Sequence, residues 1–257
     1  MNTITDLNSM MVLMFVACRV LGVIVFNPIF GRQVVPGIVK VGLSLGLSLS
    51  ISEAGNSFVL NYSGIDMLTV MIKELAVGLI LGFIMTLFFS VFHFGGQLVD
   101  YQMGLAMATM YDPMTNSQVS ISGNMMTVFY SLLFFVTNSH INMIAVTARS
   151  YNVAPLGYEA INGEVSVYIL ELFAYILIYA VQLALPWIVT VMVVEVAVGI
   201  MMKVVPNINV FVVNIQLKVV CGLVIMITVI PVLVKFMTQV NTLMMQRFDE
   251  VIMKING

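Results

Sequence analysis

Charges are absent from long stretches of this sequence, and their absence limits the folds open to the chain more than any motif does. The runs 75–99, 113–148 and 172–194 contain no Asp, Glu, Lys or Arg, and the run 7–31 contains only Arg19. A helix needs about 20 predominantly apolar residues to cross a bilayer core of about 30 Å. Each run is long enough, so the sequence predicts an integral membrane protein.

The composition excludes several classes of protein. Hydrophobic residues make up 61% of the 257 positions and charged residues 9%, with a mean hydropathy of +1.08; a soluble domain is roughly half apolar and about one quarter charged. A free cytosolic enzyme and a disordered regulator are therefore excluded. A nucleic-acid binder needs a basic face, and ten Lys and Arg stand against twelve Asp and Glu. The composition also excludes a secreted disulfide scaffold, and neither Cys18 nor Cys221 lies in a Cys-x-x-Cys or Cys/His cluster that would support a metal or redox site.

The apolar runs, and the polar or glycine-bearing segments between them, predict six helices. Pro186 falls inside the fifth helix and should kink it. The runs 41–52 and 219–234 are short for a full crossing, which is typical of helices packed against other protein. Lys and Arg are distributed too evenly to fix the membrane orientation. The predicted helices are 9–30, 38–52, 67–96, 124–148, 165–203 and 208–245.

Small residues recur at four-residue spacing on the second and third predicted helices. Gly42 and Gly46 lie on one side of the second helix, and Gly78 and Gly82 do the same on the third. Such ridges let helix backbones approach closely, although chance is an alternative because glycine is common in membrane helices. Residues 42–46 also match Gly-x-Ser-x-Gly, but they lie in an apolar helical run without the strand-to-helix turn that a hydrolase requires.

The segment between the third and fourth predicted helices contains a stripe of small and acidic residues, a stripe of methionines and a polar stretch. Irregular backbone at membrane depth is tolerated only inside protein or along a watery cavity, so a re-entrant pore loop fits, and so does an ordinary external loop. Methionine side chains are adaptable enough to seal a constriction, although such a stripe is equally typical of a core. The small and acidic stripe contains Gly96, Asp100, Gly104, Ala108 and Asp112; the methionine stripe contains Met103, Met107, Met110 and Met114; the polar stretch contains Asn116, Ser117, Gln118, Ser120 and Ser122.

Isolated charges interrupt the apolar helices at Arg19, Glu171 and Glu195. A charge at mid-membrane costs about 2.5–3.5 kcal/mol on insertion scales, so such residues usually face a partner or a cavity. An ion pair between helices is the favoured interpretation, and a proton relay is the alternative. The adjacent residues Lys73 and Glu74 are candidates for ion pairs with charges on neighbouring helices. The remaining candidates, Lys203 and Lys218, flank a turn at Pro206.

Three stretches of the chain carry a family resemblance. They are Arg32–Lys40 with Val35-Pro36, then Gly96-x3-Asp100-x-Gln102-Met103-Gly104-x3-Ala108-x3-Asp112-Pro113, and finally Gly199-x3-Lys203-x2-Pro206-Asn207-Ile208-Asn209-Val210-Phe211 leading to Leu217-Lys218. On these residues, and over essentially its whole length, the chain resembles the flagellar biosynthetic protein FliR family, whose virulence relatives form the T-type subunit of injectisome export gates. The family more often has Arg, Gln, a small residue and Pro where this chain has Lys203, Asn207, Asn214 and Gln216.

The resemblance implies an all-α, membrane-associated fold of kinked helical hairpins. A P-like part, 1–164, is expected to be fused to a Q-like hairpin, 165–257. One copy is expected to join P-type and Q-type subunits in a cone-shaped gate raised partly out of the bilayer, in the bacterial inner membrane within the flagellar basal body. Its other expected partners are the B-type export protein, basal-body ring and rod proteins, membrane lipid and unfolded export substrates. No nucleic acid, metal, cofactor or catalytic residue is expected.

The resemblance also implies that a loop after Gly104 plugs the export channel. Carried onto this chain, the plug covers 103–123, and the whole chain is a non-enzymatic subunit of a flagellar type III export gate. Alternatives are a virulence export-gate subunit, a small-molecule secondary transporter and a purely structural nucleus for the ring and rod. The expected plug residues are Met103, Gly104, Met107, Met110, Asp112, Pro113, Met114, Asn116, Ser117 and Gln118; the expected buried or intersubunit charges are Arg19, Lys73, Glu74, Asp100, Glu171, Glu195, Lys203 and Lys218.

Overall fold

All regular structure in the described part of the chain is α-helical. The structure is a computed structural model that describes residues 7–54, 64–105, 120–157, 163–205 and 209–256. The all-α prediction is therefore confirmed for these ranges. The helices are α1 (Leu7–Val25), α2 (Gly37–Ala54), α3 (Gly64–Met103), α4 (Ile121–Val136), α5 (Ser139–Val153), α6 (Gly163–Val204) and α7 (Val210–Asn256).

Two predicted helices end earlier than their apolar runs do. The helix predicted over 9–30 ends at Val25 because Asn27 and Pro28 follow: the Asn27 side-chain oxygen accepts the N–H groups of Ile29 at 2.8 Å and Phe30 at 3.0 Å. A residue before proline is also disfavoured in helical geometry. The helix predicted over 124–148 is likewise wrong, because it is interrupted between α4 and α5.

The interruption between α4 and α5 lies at Asn138, which has a left-handed backbone with φ of 56°. Asparagine tolerates this region better than most residues do. The flanking hydroxyls of Thr137 and Ser139 lie 2.8 Å apart and share a hydrogen bond. Short polar side chains of this kind offer the backbone alternatives to helical bonding, which explains the break inside an apolar, charge-free run.

The third helix is longer than predicted: it begins at Gly64 and continues past Gly95 and Gly96, near which the predicted helix ends. A Cβ atom at Gly95 would lie 2.7 Å from a methyl carbon of Leu183, and one at Gly96 would lie 2.7 Å from the carbonyl carbon of Ser122. Both glycines are therefore packing positions where another helix comes close, and neither ends α3. The helix continues to Met103.

The chain forms two compact units, and four helices, α3, α4, α6 and α7, contribute residues to both. The first unit contains 1–88, 135–172 and 242–257, and the second contains 89–134 and 173–241. These units do not follow the order of the chain. The predicted division into a P-like part, 1–164, and a Q-like part, 165–257, concerns likeness to other subunits and stays a prediction.

In the first unit, α1 packs tightly against α3 through glycines. A Cβ atom at Gly78 would lie 2.9 Å from the carbonyl carbon of Arg19, and one at Gly82 would lie 2.8 Å from Cβ of Phe26. Close approach of this kind maximises contact between helices. The side chains that form the core here are Val12, Phe15, Val16, Val20, Ile24, Val70, Tyr151 and Leu156.

One face of α2 packs and the other stays open. Ser44 and Ser48 are buried, and their hydroxyls donate to the backbone oxygens of Val41 and Ser44, at 2.8 and 2.5 Å. Added Cβ atoms at Gly42 and Gly46, in contrast, would meet nothing within 4 Å. None of the described residues packs against Gly42 or Gly46, so the predicted close packing there stays a prediction.

In the second unit the core is aromatic. The rings of Phe92 and Tyr130 stack with centroids 4.1 Å apart, and Phe89 contacts the Tyr130 ring edge-on at 4.6 Å and the Phe134 ring at 5.9 Å. Such pairs contribute about 0.5–1.5 kcal/mol beyond the area they bury. The Trp187 indole N–H donates to the carbonyl oxygen of Gly222 at 3.2 Å, so the polar group of this buried ring has a hydrogen-bond partner.

Three helices in the described residues are long and apolar enough to cross a membrane: Gly64–Met103, Gly163–Val204 and Val212–Ile255, or up to four spans if α4 and α5 together form one. In the most apolar 18-residue stretch of each helix, 61% is buried in α3, 28% in α6 and 11% in α7. Large apolar faces of α6 and α7 are thus left uncovered by the described residues.

The glycine contacts predict opposite effects for two alanine substitutions. Gly78→Ala would press a methyl group onto the Arg19 backbone, which cannot rotate aside as a side chain can, so we expect a loss of roughly 1–3 kcal/mol in unfolding free energy. The matched control, Gly42→Ala, meets open space and should gain roughly 0.5–1 kcal/mol. Thermal unfolding in detergent measures both, and equal shifts for the two variants would contradict the packing described.

Candidate functional site

A buried ion pair joins α1 and α3 in the first unit. The Nε atom of Arg19 lies 2.7 Å from Oε2 of Glu74, and the two side chains are 1% and 2% exposed. Removal of charges from water is costly, and a buried pair is tolerated only when its remaining donors and acceptors are also bonded. The surroundings of Arg19 and Glu74 meet that condition.

The other guanidinium donors of Arg19 reach α5 and the turn that follows it. Arg19 donates to the Ser150 hydroxyl oxygen at 2.9 Å and to the Ala154 carbonyl oxygen at 3.0 Å. Its guanidinium carbon lies 4.1 Å from the centroid of the Tyr151 ring, a cation–π contact. The Gly157 N–H donates to the second Glu74 oxygen at 3.1 Å. The pair thus connects three helices and one turn, an arrangement typical of a structural element.

A second buried charge, Asp100, lies near the end of α3 in the second unit and is 7% exposed. Its Oδ2 atom accepts the Ser120 hydroxyl at 2.7 Å and the Ser122 N–H at 3.2 Å. The Ser120 oxygen in turn accepts the Gly123 N–H at 2.9 Å. Ser120 is therefore the N-cap of α4, and Asp100 satisfies a further N–H group of its first turn.

The end of α3 is equally well defined. Gly104 has φ of +76°, its N–H donates to the Tyr101 carbonyl oxygen at 3.2 Å, and the Leu105 N–H donates to the Asp100 carbonyl oxygen at 3.0 Å. This pattern is a Schellman motif, in which glycine occupies the left-handed position after the helix. Gly104 therefore ends α3, and the chain enters the segment 106–119 from a fixed backbone conformation.

Met103 anchors the same helix end against α7. It is 1% exposed, and a Cβ atom at Gly222 would lie 2.8 Å from its Cε atom and 2.9 Å from its sulfur. The missing side chain at Gly222 makes the space that Met103 fills. Within the second unit, the end of α3 is therefore held by Met103 and joined to the start of α4 by Asp100.

Most of the expected plug lies outside the described residues. Met103, Gly104, Ser120 and Ser122 are described. The expected plug residues that fall in the segment 106–119 are Met107, Met110, Asp112, Pro113, Met114, Asn116, Ser117 and Gln118, and they lie outside the ranges described.

The other expected charges are placed less deeply. Glu171, Glu195 and Lys203 are exposed, and Lys73 is half-buried. Lys218 pairs with Glu195 across the α6–α7 hairpin of the second unit. A pair at that position holds the two helices together without taking either charge into a core.

Sequence reasoning missed a polar cluster in the first unit. The Tyr168 hydroxyl donates to Glu250 Oε2 at 2.7 Å, the Arg247 guanidinium lies 2.6 Å from the same oxygen, and the Lys254 ammonium lies 5.4 Å from the Tyr168 ring centroid. The spacing of Arg247, Glu250 and Lys254 places all three on one helical face, and this spacing was the available signal. In the described ranges no three His, Cys, Asp or Glu side chains come together as metal ligands would.

Comparison with known proteins identifies relatives along nearly the whole chain. Residues 10–244 match the family model described as bacterial export proteins, family 1. The flagellar biosynthetic protein FliR of Escherichia coli is 26% identical over 85% of this chain and 84% of its own length, and that of Bacillus subtilis is 27% identical over 91% and 90%. The Yop proteins translocation protein T of Yersinia pestis is 28% identical over 79% and 78%.

The Arg19–Glu74 geometry predicts a large penalty for removing one charge. Glu74→Gln leaves a buried guanidinium without its counter-ion and places an amide N–H₂ near the Gly157 N–H donor, so unfolding free energy should fall by about 3–5 kcal/mol. The control Glu171→Gln changes an exposed carboxylate and should have little effect. Unfolding in detergent measures the difference, and a double variant, Arg19→Met with Glu74→Met, should recover part of the loss. Equal effects of Glu74→Gln and Glu171→Gln would contradict a buried pair.

Proposed function

We infer the function of this chain from the family to which it belongs, bacterial export proteins, family 1. The chain is a subunit of a type III protein export gate, and the several FliR relatives support flagellar use. Its role is non-enzymatic: it helps to form and to close the channel through which unfolded flagellar proteins leave the cell. The relation to Yop proteins translocation protein T keeps a virulence gate as the second candidate.

The length of the apolar helices is the structural observation that carries this proposal. Exposed apolar side chains follow α6 from Val167, 57% exposed, to Val204, 74% exposed. At 1.5 Å per residue these two positions are roughly 55 Å apart along the helix, whereas the hydrocarbon core is about 30 Å thick. Lipid alone cannot cover such a helix, so other protein must cover part of it. A multi-subunit gate supplies that cover, and a solitary small-molecule transporter does not.

The open face of α2 is a second surface suited to another subunit. Its small positions, Gly42 and Gly46, stand beside Leu45 and Leu49, which are 45% and 46% exposed. An open ridge of this composition favours close approach by another helix. We propose P-type and Q-type export-gate subunits as the chains that cover these surfaces, with the B-type export protein and basal-body ring and rod proteins as further neighbours in the inner membrane.

The plug assignment is part of the proposal and concerns 103–123. Its two described ends, after α3 and before α4, are tightly held by Gly104, Met103, Asp100 and Ser120. A loop with fixed ends is suited to closing a channel reproducibly, and adaptable methionine side chains are suited to sealing it.

The experiment separates gate function from plug function. Deleting the gene from its host should abolish secretion of flagellar subunits, and the intact chain should restore it, because no gate assembles without this subunit. Replacing residues 106–119 with a Gly/Ser linker of equal length should leave the gate complex purifying intact but raise its ion conductance in planar bilayers.

The outcomes bear on different parts of the proposal. Normal secretion without the gene would remove the export function. An assembled linker variant whose conductance equals that of the unaltered gate would remove the plug role and leave the export function standing. Gates that carry the unaltered chain, purified in the same detergent, provide the reference conductance.

A further inference from the structure

The turn between α1 and α2 is fixed firmly within the first unit. The Asn27 side chain is 2% exposed, and its amide nitrogen lies 3.2 Å from the sulfur of Met85 on α3 and 3.4 Å from the sulfur of Met143 on α5. The ring of Phe30 meets that of Phe135, at the end of α4, edge-on with centroids 6.4 Å apart. All of these residues belong to the first unit. The turn is therefore a well-defined surface, packed on three helices.

The turn presents two cations, Arg32 and Lys40, that are held by its own backbone. The Nε atom of Arg32 donates to the carbonyl oxygen of Pro28 at 3.0 Å, and Nζ of Lys40 donates to that of Gly31 at 2.8 Å. These bonds use one donor of each side chain and keep both cationic groups on the turn. The remaining N–H groups of both side chains make no hydrogen bond to a described residue. A guanidinium and an ammonium with donors to spare are suited to an anion whose oxygens accept several hydrogen bonds.

The elements around the two cations of the turn carry no acidic side chain. The stretch 7–52 contains no Asp or Glu, and its third cation, Arg19, is already paired with Glu74. The parts of α3, α4 and α5 that pack on the turn lie in the charge-free runs 75–99 and 113–148. This end of the first unit therefore presents positive charge without a counter-ion among the described residues.

Aliphatic side chains stand out from the same surface. Four large apolar side chains of the described residues are more than 80% exposed, and three of them lie here: Val34 at 90%, Ile38 at 83%, and Val136 at 81%, next to the Phe135 ring that packs on the turn; the fourth is Ile65 at 81%. A soluble anion would neutralise the cations and leave these side chains in water. An anionic amphiphile would engage both, because its acyl chains remove the aliphatic groups from water.

We propose that the α1–α2 turn binds an anionic phospholipid: Arg32 and Lys40 bind the headgroup phosphate, and Val34 and Ile38 contact the acyl chains. The planar fork of a guanidinium matches two oxygens of one phosphate, and the ammonium adds a second positive charge. The bound lipid places this end of the first unit at the level of the headgroups. The inference is independent of export, because it concerns how the chain meets the membrane.

The test measures lipid binding at the turn in the complete complex. The complex is reconstituted in phosphatidylcholine nanodiscs with increasing fractions of a phosphatidylglycerol that carries a diazirine in its acyl chain, and mass spectrometry measures the lipid attached to the peptide that contains Val34 and Ile38. Arg32→Gln with Lys40→Gln should raise the half-saturating fraction of phosphatidylglycerol roughly 30-fold, which corresponds to about 2 kcal/mol, because each cation near an anionic surface contributes about 1 kcal/mol.

Two further variants separate this site from general charge and from the stability of the turn. Arg149→Gln with Lys235→Gln removes the same number of positive charges from exposed positions outside the turn and should leave the half-saturating fraction unchanged. Val34→Ser with Ile38→Ser keeps both cations and their backbone bonds, so its result does not depend on the stability of the cation variant. It should raise the half-saturating fraction roughly tenfold, because the acyl contact is lost.

Weaker attachment in both turn variants, with the Arg149 and Lys235 control unchanged, supports the lipid site. Equal half-saturation in the Arg32 and Lys40 variant and the unaltered chain overturns it, and so does an equal loss in the control, which would show attraction by bulk charge alone. Displacement of the lipid by soluble glycerol phosphate would show a site for a free anion and overturn the lipid assignment.

A second probe identifies any other occupant of the turn. A benzophenone side chain at Val34 should crosslink to phospholipid in the complete complex. Crosslinking to another subunit in place of lipid would show that protein covers the turn and would overturn the inference. None of these outcomes bears on the export function, which secretion by the gene deletion and its complemented strain measures separately.

Discussion

Burial of charge next to apolar helices is the constraint on which the rest of this structure depends. Among the described residues three charged side chains are buried, Arg19, Glu74 and Asp100. Each is fully engaged within its own unit, by an ion pair or by donors from a neighbouring helix. An unpaired charge at these positions would be costly, so the bonds determine which helices lie side by side in each unit.

The Arg19–Glu74 pair and Asp100 have different roles in the structure. Arg19 and Glu74 bond to each other and to groups of α5 and the turn that follows it, so their hydrogen bonds connect elements of the fold. Asp100 lies instead near the end of α3, where its bonds join this helix to the start of α4. The first site joins α1, α3 and α5, and the second joins the end of α3 to the start of α4.

Much of the fold follows from the sequence, because charge-free runs of the right length specify apolar helices. The sequence patterns do not show where short polar residues break a helix: Asn27 ends a helix through its side-chain hydrogen bonds, and Asn138 interrupts one by adopting a left-handed backbone. They do not identify partners either, since Arg19 and Glu74 are 55 residues apart and many other pairings satisfy the same pattern. The packing role of Gly95 and Gly96 does not follow from the sequence either, because it depends on residues of α6 and α4 that come close only in three dimensions.

The central claim is that neighbouring chains around a channel cover the apolar faces of this subunit, with lipid covering only part of them. Photolabelling with a lipid-dissolved carbene precursor, read by mass spectrometry, tests it most directly at Met192, Val193 and Val196 of α6, which are 59%, 64% and 64% exposed in this chain. We expect strong labelling when the chain is made alone and little labelling in assembled basal bodies. Equally strong labelling of these positions in assembled basal bodies would contradict it.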